Sequence, residues 1–240
     1  MPDLGPVAWP PAPIRTERLV LRQSEARDRA TFLELSASPE VSAYLGGPQP
    51  RDELERTLPG VPGRRPGVFV VELAAPPCQG GPTPSGRATS TPSGRDAATL
   101  PGRDTATLPG RDTATASGGD AATPPGRDTD APGGRGPAIG TVMLERRNLG
   151  PRDRVRPERG EVDLGYLFLP EAWGHGYAAE ACAAALAWFD GALPGEPVVL
   201  CTQTANLPSM RLAARLGFGE VQRFEAFGAE QWFGMRPPRR

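Results

Sequence analysis

The sequence contains no lysine. All 27 basic residues are arginines, and 28 acidic residues balance them to a formal net charge of −1. This balance excludes the strongly basic patch that nucleic-acid-binding and polybasic membrane-binding proteins carry. No apolar run approaches the roughly 18 residues that a membrane-spanning helix requires. The N-terminal MPDLGPVAWPPAP lacks the basic and apolar regions of a secretory signal. We therefore expect a soluble cytoplasmic protein with neither nucleic acid nor a membrane as partner.

Cysteine and histidine are also scarce. The three cysteines, Cys78, Cys182 and Cys201, show no CxxC spacing, and their odd number leaves one over. This pattern argues against both a metal site and a disulfide framework. The one histidine is His175. We therefore expect no metal to take part in the function.

Glycine and proline, by contrast, number 30 each, and many of them lie in one segment. Residues 76–137 hold 12 Gly and 11 Pro and contain an eight-residue repeat with units such as PGRDTATL. The repeat has almost no apolar side chains to offset a backbone ordering cost of about 1–2 kcal/mol per residue. We interpret this segment as a disordered insertion, with a partner-binding or fibrous role as the alternative.

The other 178 residues predict one α/β domain that is split in sequence. Apolar patterns predict seven strands, and cap and stop signals predict four helices. The predicted strands are 18–22, 68–73, 139–144, 161–169, 198–201, 220–227 and 230–235. The predicted helices begin at Ser24, Pro50, Gly176 and Asn206 and end near Pro39, Leu58, Asp190 and Leu216. This order predicts a mostly antiparallel sheet, with the insertion in a strand-to-strand turn.

The turn that follows the fourth predicted strand is a candidate anion site. Residues 170–178 have the sequence PEAWGHGYA and lead into a helix. Glycines let a phosphate approach the backbone, and a helix N-terminus presents unbonded N–H groups to it. Many strand-to-helix turns contain two glycines, so a purely structural turn is the alternative at this point.

Three motifs in this order resemble the GNAT acetyltransferase superfamily. They are TERLVLR from Thr16, DLGYLFLPEAWGHGYAAEA from Asp163 and NLPSMRLAARLGF from Asn206. The resemblance covers residues 14–75 and 138–237 and is greatest to the subgroup that acetylates the N-termini of ribosomal proteins. It implies a GNAT fold with acetyl-CoA as co-substrate. It also implies an amine acceptor, either a protein N-terminus or a small molecule, and a monomer or homodimer.

In the family, acetyl-CoA lies between two splayed strands, which here end at Leu169 and near Cys201. The resemblance implies that the backbone of Leu167, Phe168 and Leu169 pairs with the pantetheine arm and that the turn holds the pyrophosphate. The further cofactor-binding residues that it implies are Trp173, Gly174, His175, Gly176, Tyr177, Ala178 and Asn206.

The turn departs from the general family signature Q/R-x-x-G-x-G/A at its first position, which here holds Trp173. This change leaves the backbone amides of the turn in place. His175 lies inside the turn, so we expect its backbone to matter and its ring to contact solvent or phosphate rather than to act in catalysis.

A carboxylate near the acetyl group could accept the proton of the amine, directly or through one water. Asp163 is the first candidate, because the subgroup typically has Glu at this position before the G-Y pair. Glu161 and Glu72 are the alternative candidates for the base. For each of the three carboxylates, the competing interpretation is a solvated charge at a sheet edge with no part in catalysis.

The leaving thiolate resembles that of cysteine, with a pKa of about 8.5, so a weak acid suffices. Many GNAT enzymes have a tyrosine seven residues after the asparagine, where this chain has Ala213. The resemblance instead implies that Ser209 lies near the sulfur, and a helix-capping serine is the alternative.

A second hypothesis is a GNAT-fold module that binds acyl-CoA without turnover and acts as a regulator. Acceptor specificity is expected in the two N-terminal helices and in the final hairpin, residues 224–233.

Overall fold

The computed structural model of the chain describes Leu4 and residues 7–74, 135–147 and 160–239. All of these residues belong to one compact unit that comprises residues 1–76 and 133–240. The octapeptide repeat lies outside the described residues, so its disorder stays a prediction. The insertion was predicted to end at residue 137, whereas the strand that follows it already begins at Arg135.

All seven predicted strands are present within the described residues, and they lie in one sheet of eight. The added strand is Ile14–Arg15, which is too short to produce a periodic pattern. The strands are β1 Ile14–Arg15, β2 Leu19–Arg22, β3 Val68–Ala74, β4 Arg135–Arg147, β5 Glu161–Phe168, β6 Val198–Gln203, β7 Gly219–Ala226 and β8 Ala229–Arg236. Their order across the sheet is β1-β2-β3-β4-β5-β6-β8-β7. Every neighbouring pair is antiparallel except β5 and β6, which are parallel.

The four predicted helices are also present: α1 Arg29–Ala37, α2 Arg51–Thr57, α3 Tyr177–Ala192 and α4 Leu207–Arg215. Asn206 caps α4 as predicted, and Gly217 follows it with a φ of 85°. The start of α1 was predicted wrongly at Ser24. A 3-10 turn, Ala26–Asp28, comes first, because the Asp28 carboxylate accepts the N–H of Glu25 at 2.7 Å and tightens the chain there.

The main core lies between the sheet and the helices α3 and α4. Leu21 and Phe69 project from the sheet into this core, and small buried residues of α3, such as Ala181 and Ala185, let the helix pack closely. On the other face, a Cβ at Gly63 would meet both Phe32 of α1 and Val68 of β3, so α1 covers that face. Within the part of the chain described, no helix is long and apolar enough to cross a membrane.

Candidate active site

β5 and β6 pair over only two residues each. The parallel register joins residues 162–163 to residues 198–199. Beyond this point β5 continues to pair with β4 as far as Phe168, and β6 continues to pair with β8 as far as Gln203. The two strands therefore diverge and leave an open gap between them. This is the splayed pair of strands that the resemblance to the GNAT superfamily implied.

One hydrogen bond shows which backbone groups of β5 point into this gap. The N–H of Leu169 donates to the carbonyl of Ile139 at 3.0 Å, at the end of the ladder between β4 and β5. Since backbone groups alternate along an antiparallel strand, those of Leu167 also point toward β4, while the carbonyl of Leu169 accepts the N–H of Ala172 at 2.9 Å. Those of Tyr166 and Phe168 point into the gap. Of the three residues implied for the pantetheine arm, Phe168 alone offers its backbone groups there, and Tyr166 joins it.

The turn between β5 and α3 presents unbonded backbone N–H groups. Gly174 and Gly176 both have a φ of 79°, and Gly176 is the N-cap of α3, with no side chain capping the helix. Among the described residues, the first N–H bonded at this helix start is that of Glu180, which donates to the carbonyl of Gly176 at 3.2 Å. The N–H groups of residues 174–179 are therefore available to an anion, as expected at a helix N-terminus.

Trp173 connects this turn to the end of β5. Its side chain is 47% exposed, and its indole Nε1 donates a hydrogen bond to the carbonyl of Phe168 at 2.8 Å. A carbonyl oxygen has a second lone pair, so Phe168 can still accept another hydrogen bond. Trp173, which departs from the general family signature, thus holds the turn next to the open end of the gap.

The N-terminal TERLVLR motif fastens the same turn from the other side. The Thr16 hydroxyl donates to Glu180 Oε1 at 2.6 Å, and the Arg18 Nε donates to Glu180 Oε2 at 2.8 Å. Arg18 Nη1 also donates to the carbonyl of His175 at 2.9 Å. We call Thr16, Arg18 and Glu180 the turn clamp, because together they join β2 and its preceding loop to the first turn of α3.

The turn clamp also places a positive charge beside the exposed turn. The Arg18 guanidinium lies 4.9 Å from the ring centroid of Tyr177, on which the exposed ring of His175 stacks at 5.4 Å. Burial raises the pKa of Glu180, but the Thr16 and Arg18 hydrogen bonds outweigh it and hold this pKa below its usual range. Because the pKa of Glu180 is lowered, its carboxylate is charged at neutral pH.

A pair of hydroxyl groups lies on the α4 side of the gap. Asn206 Oδ1 accepts the N–H of Ser209 at 3.2 Å, so Asn206 provides the helix cap. The Ser209 hydroxyl is 2.5 Å from the Tyr166 hydroxyl, and the two form a hydrogen bond. Burial raises the pKa of Tyr166 to about 12, against a smaller lowering by Ser209. The serine hydroxyl thus contacts a tyrosine rather than capping its own helix.

Asp163 lies on the opposite face of the sheet from Tyr166, since side chains alternate along a strand. It is half-buried and is the last residue of β5 that pairs with β6, so it marks the closed end of the gap. Glu145 is directly across from it on β4 and accepts a hydrogen bond from Arg65 Nε at 2.5 Å. The first candidate for the base therefore lies in a charged cluster at the start of the gap.

The two alternative carboxylates are both buried, with 2% exposure each. Glu72 lies on β3, two strands from the gap, and its Oε2 accepts hydrogen bonds from Arg22 and Arg27. Two guanidinium groups on one carboxylate oxygen fit a structural ion pair rather than a base. Glu161 lies at the paired end of β5, before the strands diverge.

Two residues of this arrangement were missed by the sequence reasoning. The pattern of β5 puts Tyr166 on the face that packs against the helices, and a tyrosine hydroxyl on such a face requires a hydrogen-bond partner. This need for a partner is the signal in the sequence that could have identified Tyr166. Arg18 was noticed only as part of a motif, and nothing local to it indicates Glu180, which is 162 residues away.

The comparisons with known proteins agree with this geometry. Residues 126–219 match the family model described as "Acetyltransferase (GNAT) domain". The structure is similar to that of a GNAT-family acetyltransferase from Bacillus anthracis, with 14% identity and a TM-score of 0.53, covering 95% of this chain and 99% of that one. It is also similar to an acetyltransferase from Agrobacterium tumefaciens, with 18% identity and a TM-score of 0.53, covering 96% of both chains.

A third similar structure is spermidine N-acetyltransferase from Vibrio cholerae, solved in complex with CoA and spermine. It is 16% identical, with a TM-score of 0.52, and the match covers 93% of this chain and 97% of that one. No curated protein matches the sequence.

The chain therefore has the GNAT fold, an open and mostly antiparallel sheet with flanking helices, as the sequence predicted. Residues 126–219, less than half of the chain, match the GNAT acetyltransferase family model, and the fold agrees with that match. The narrower subgroup, which acetylates ribosomal-protein N-termini, stays a prediction.

Proposed function

We propose that the protein is an acetyl-CoA-dependent N-acetyltransferase that transfers the acetyl group directly to a primary amine. The acceptor is a protein N-terminus or a small-molecule amine. The observation that carries the proposal is the gap between β5 and β6, which opens beside a turn with unbonded amides. A carboxylate lies on one face of the sheet at this gap and a hydroxyl pair lies on the other.

The residues present fit acetyl-CoA. The N–H groups of residues 174–179 would hold its pyrophosphate, with Arg18 nearby as a positive charge. The backbone groups of Tyr166 and Phe168 would pair with the pantetheine arm, and Asn206 and Ser209 lie at the start of α4 beside it. Bound there, the thioester would supply an activated acetyl group, so the protein itself needs no covalent nucleophile.

We propose Asp163 as the group that accepts the proton of the amine. Asp163 is two residues before Gly165, a distance of about 7 Å along the strand. Its side chain therefore lies on the same face of the sheet as the open surface over Gly165. Gly165 presents no side chain, and a Cβ there would meet only the flexible Met143 side chain, at 3.1 Å. An amine that lies over Gly165 would therefore be within reach of Asp163 through one water.

The activity is tested by measuring thiol release from acetyl-CoA with a panel of amines, together with a thermal shift on adding CoA. The panel includes peptides with free Ala or Ser N-termini and polyamines, since a spermidine acetyltransferase shares the fold. We expect a CoA-dependent thermal shift and amine-dependent thiol release. A thermal shift without turnover for any amine would instead identify a CoA-binding regulatory module.

Asp163→Asn is expected to lower kcat/KM about tenfold at pH 7 with an N-terminal amine. The deficit should narrow above pH 8, because an α-amino group has a pKa near 8 and is then already a free base. The measurement is the pH profile of kcat/KM for the wild type and the variant. Asp163→Glu, which keeps a carboxylate, should restore most of the rate. A loss of equal size at every pH, unrelieved by glutamate, would assign Asp163 to structure only.

A further inference from the structure

We propose that Tyr166 is a positioning residue that orients the Ser209 hydroxyl toward the CoA sulfur. The Tyr166 hydroxyl donates a hydrogen bond to Ser209 Oγ, which leaves the serine hydrogen to donate a hydrogen bond to the departing thiolate of CoA. The inference rests on the proposed function and adds a residue to it. Its starting observation is the 2.5 Å contact between the two hydroxyl groups.

The direction of this hydrogen bond follows from the two groups that form it. A phenol is a stronger acid than an aliphatic alcohol and is therefore the better donor. A serine oxygen has two lone pairs and one hydrogen, so accepting from Tyr166 leaves the hydrogen available. The Ser209 backbone N–H is already bonded to Asn206. Ser209 is thus held by the backbone at one end and by Tyr166 at the other.

The position of the pair fits a role at the sulfur. Tyr166 belongs to the part of β5 that has diverged from β6, and its backbone groups point into the gap. Its side chain extends to the helix side and reaches the first turn of α4. Asp163 lies three residues earlier, about 10 Å along the strand, on the other face. The amine proton and the thiolate would therefore be handled on opposite faces of the sheet.

Tyr166 is a poor candidate for donating its proton outright. Its pKa is raised by burial to about 12, whereas a free thiol has a pKa of about 8.5. Complete transfer of its proton to a thiolate is then strongly unfavourable. The same high pKa keeps Tyr166 protonated, and therefore a hydrogen-bond donor, throughout the physiological pH range.

The chemical step that this arrangement assists is balanced without further reactants. The new C–N bond replaces the C–S bond of the thioester, and the electron pair of the broken bond stays on sulfur. The amine proton goes to Asp163 or its water. Ser209 stabilises the negative charge on sulfur by a hydrogen bond, and Tyr166 holds Ser209 in the orientation that makes this bond possible.

Tyr166→Phe keeps the ring and removes the hydroxyl. We expect it to lower kcat about tenfold, with KM for acetyl-CoA changed less than twofold, and we expect Ser209→Ala to do the same. The double variant should be no slower than Ser209→Ala alone, because Tyr166 acts through Ser209. Tyr44→Phe is the matched control: its side chain is 39% exposed, and it should retain wild-type kcat.

A second readout does not depend on turnover. The pH dependence of alkylation of protein-bound CoA, with the alkylated CoA quantified by mass, gives the pKa of the bound thiol. This pKa should be about one pH unit higher in Tyr166→Phe and in Ser209→Ala than in the wild type. A tenfold loss of the hydrogen-bonded thiolate corresponds to that shift.

The outcomes separate this inference from the proposed function. Amine-dependent turnover by the wild type, with an unchanged kcat and bound-thiol pKa in Tyr166→Phe, would overturn the role of Tyr166 and leave the acetyltransferase in place. Multiplicative losses in the double variant would also overturn it, because Tyr166 would then act independently of Ser209. Absence of turnover by the wild type with every amine would overturn both.

Discussion

Replacing Gly176 by valine should weaken CoA binding by about 100-fold. The φ of this residue is 79°, a conformation that a β-branched side chain adopts only under strain. Space is not the limit, because a Cβ would meet only Arg18 Nη2, at the ordinary contact distance of 3.6 Å. A strain of about 1–3 kcal/mol lowers the fraction of molecules in which the turn has its binding conformation. The apparent Kd for CoA rises by the factor by which this fraction falls. Calorimetric titration with CoA measures it.

Gly195→Val provides the matched control. Gly195 has a φ of 81° and no atom within 4 Å of an added Cβ, and it lies in the loop between α3 and β6, at the far end of α3. The strain, and hence the loss of stability, should be similar in the two variants, while CoA affinity falls only in Gly176→Val. Equal CoA affinity in both would refute the assignment of residues 174–179 as the phosphate site.

Arg22→Ala should lower the free energy of unfolding by about 3–5 kcal/mol, as expected when a buried ion pair loses one partner. Arg22 is 6% exposed and donates to both carboxylate oxygens of Asp28 at 2.8 Å, and also to Glu72. Burial opposes its charge, but the hydrogen bonds to Asp28 and Glu72 outweigh that and raise the pKa of Arg22. Its removal leaves the buried carboxylates of Asp28 and Glu72 without the guanidinium that joins them, and Arg27 still pairs with Glu72.

Urea denaturation measures this effect, and Arg223→Ala is the control. Arg223 pairs with Glu220 at 3.0 Å, but both side chains are nearly half exposed, so its loss should change the free energy of unfolding far less than the loss of Arg22. The free energy of unfolding of Arg22→Lys should lie between those of Arg22→Ala and Arg223→Ala, because an ammonium group keeps the charge but cannot reproduce the paired contacts of a guanidinium. A stability of Arg22→Ala within about 1 kcal/mol of the wild type would contradict the structural role given to this network and to Glu72.

Most of the strands and helices could be predicted, because their signals are local. The alternation in residues 161–169, the cap at Asn206 and the left-handed glycine at position 217 each depend on neighbours a few residues away, and the structure confirms all three. The start of α1 could not be predicted, since Asp28 is held by Arg22 of a separate strand and draws the chain into a 3-10 turn first.

For the candidate site, the sequence predicted the two strands, the turn and the helix cap, but it did not predict which partners the individual side chains contact. The alternation in β5 placed Tyr166 on the helix face, yet Ser209 is 43 residues away along the chain. The alternating pattern of the predicted strand 18–22 makes Arg18 and Arg22 equivalent polar positions. In the fold one is 44% exposed beside the turn and the other is 6% exposed in an ion-pair network.

By itself, then, the balance of 27 arginines against 28 acidic residues predicts that the chain has no strongly basic binding patch, and this stays a prediction. The apolar patterns and the cap and stop signals determined the order of the elements and the position of the turn, because glycine conformation, capping and strand periodicity are properties of short segments. Only the tertiary structure decided which carboxylates are held by arginines, which backbone groups of β5 remain unpaired and which hydroxyl groups meet. These depend on which strands become neighbours, and contacts such as Tyr166–Ser209 and Arg18–Glu180 join residues 43 and 162 positions apart along the chain.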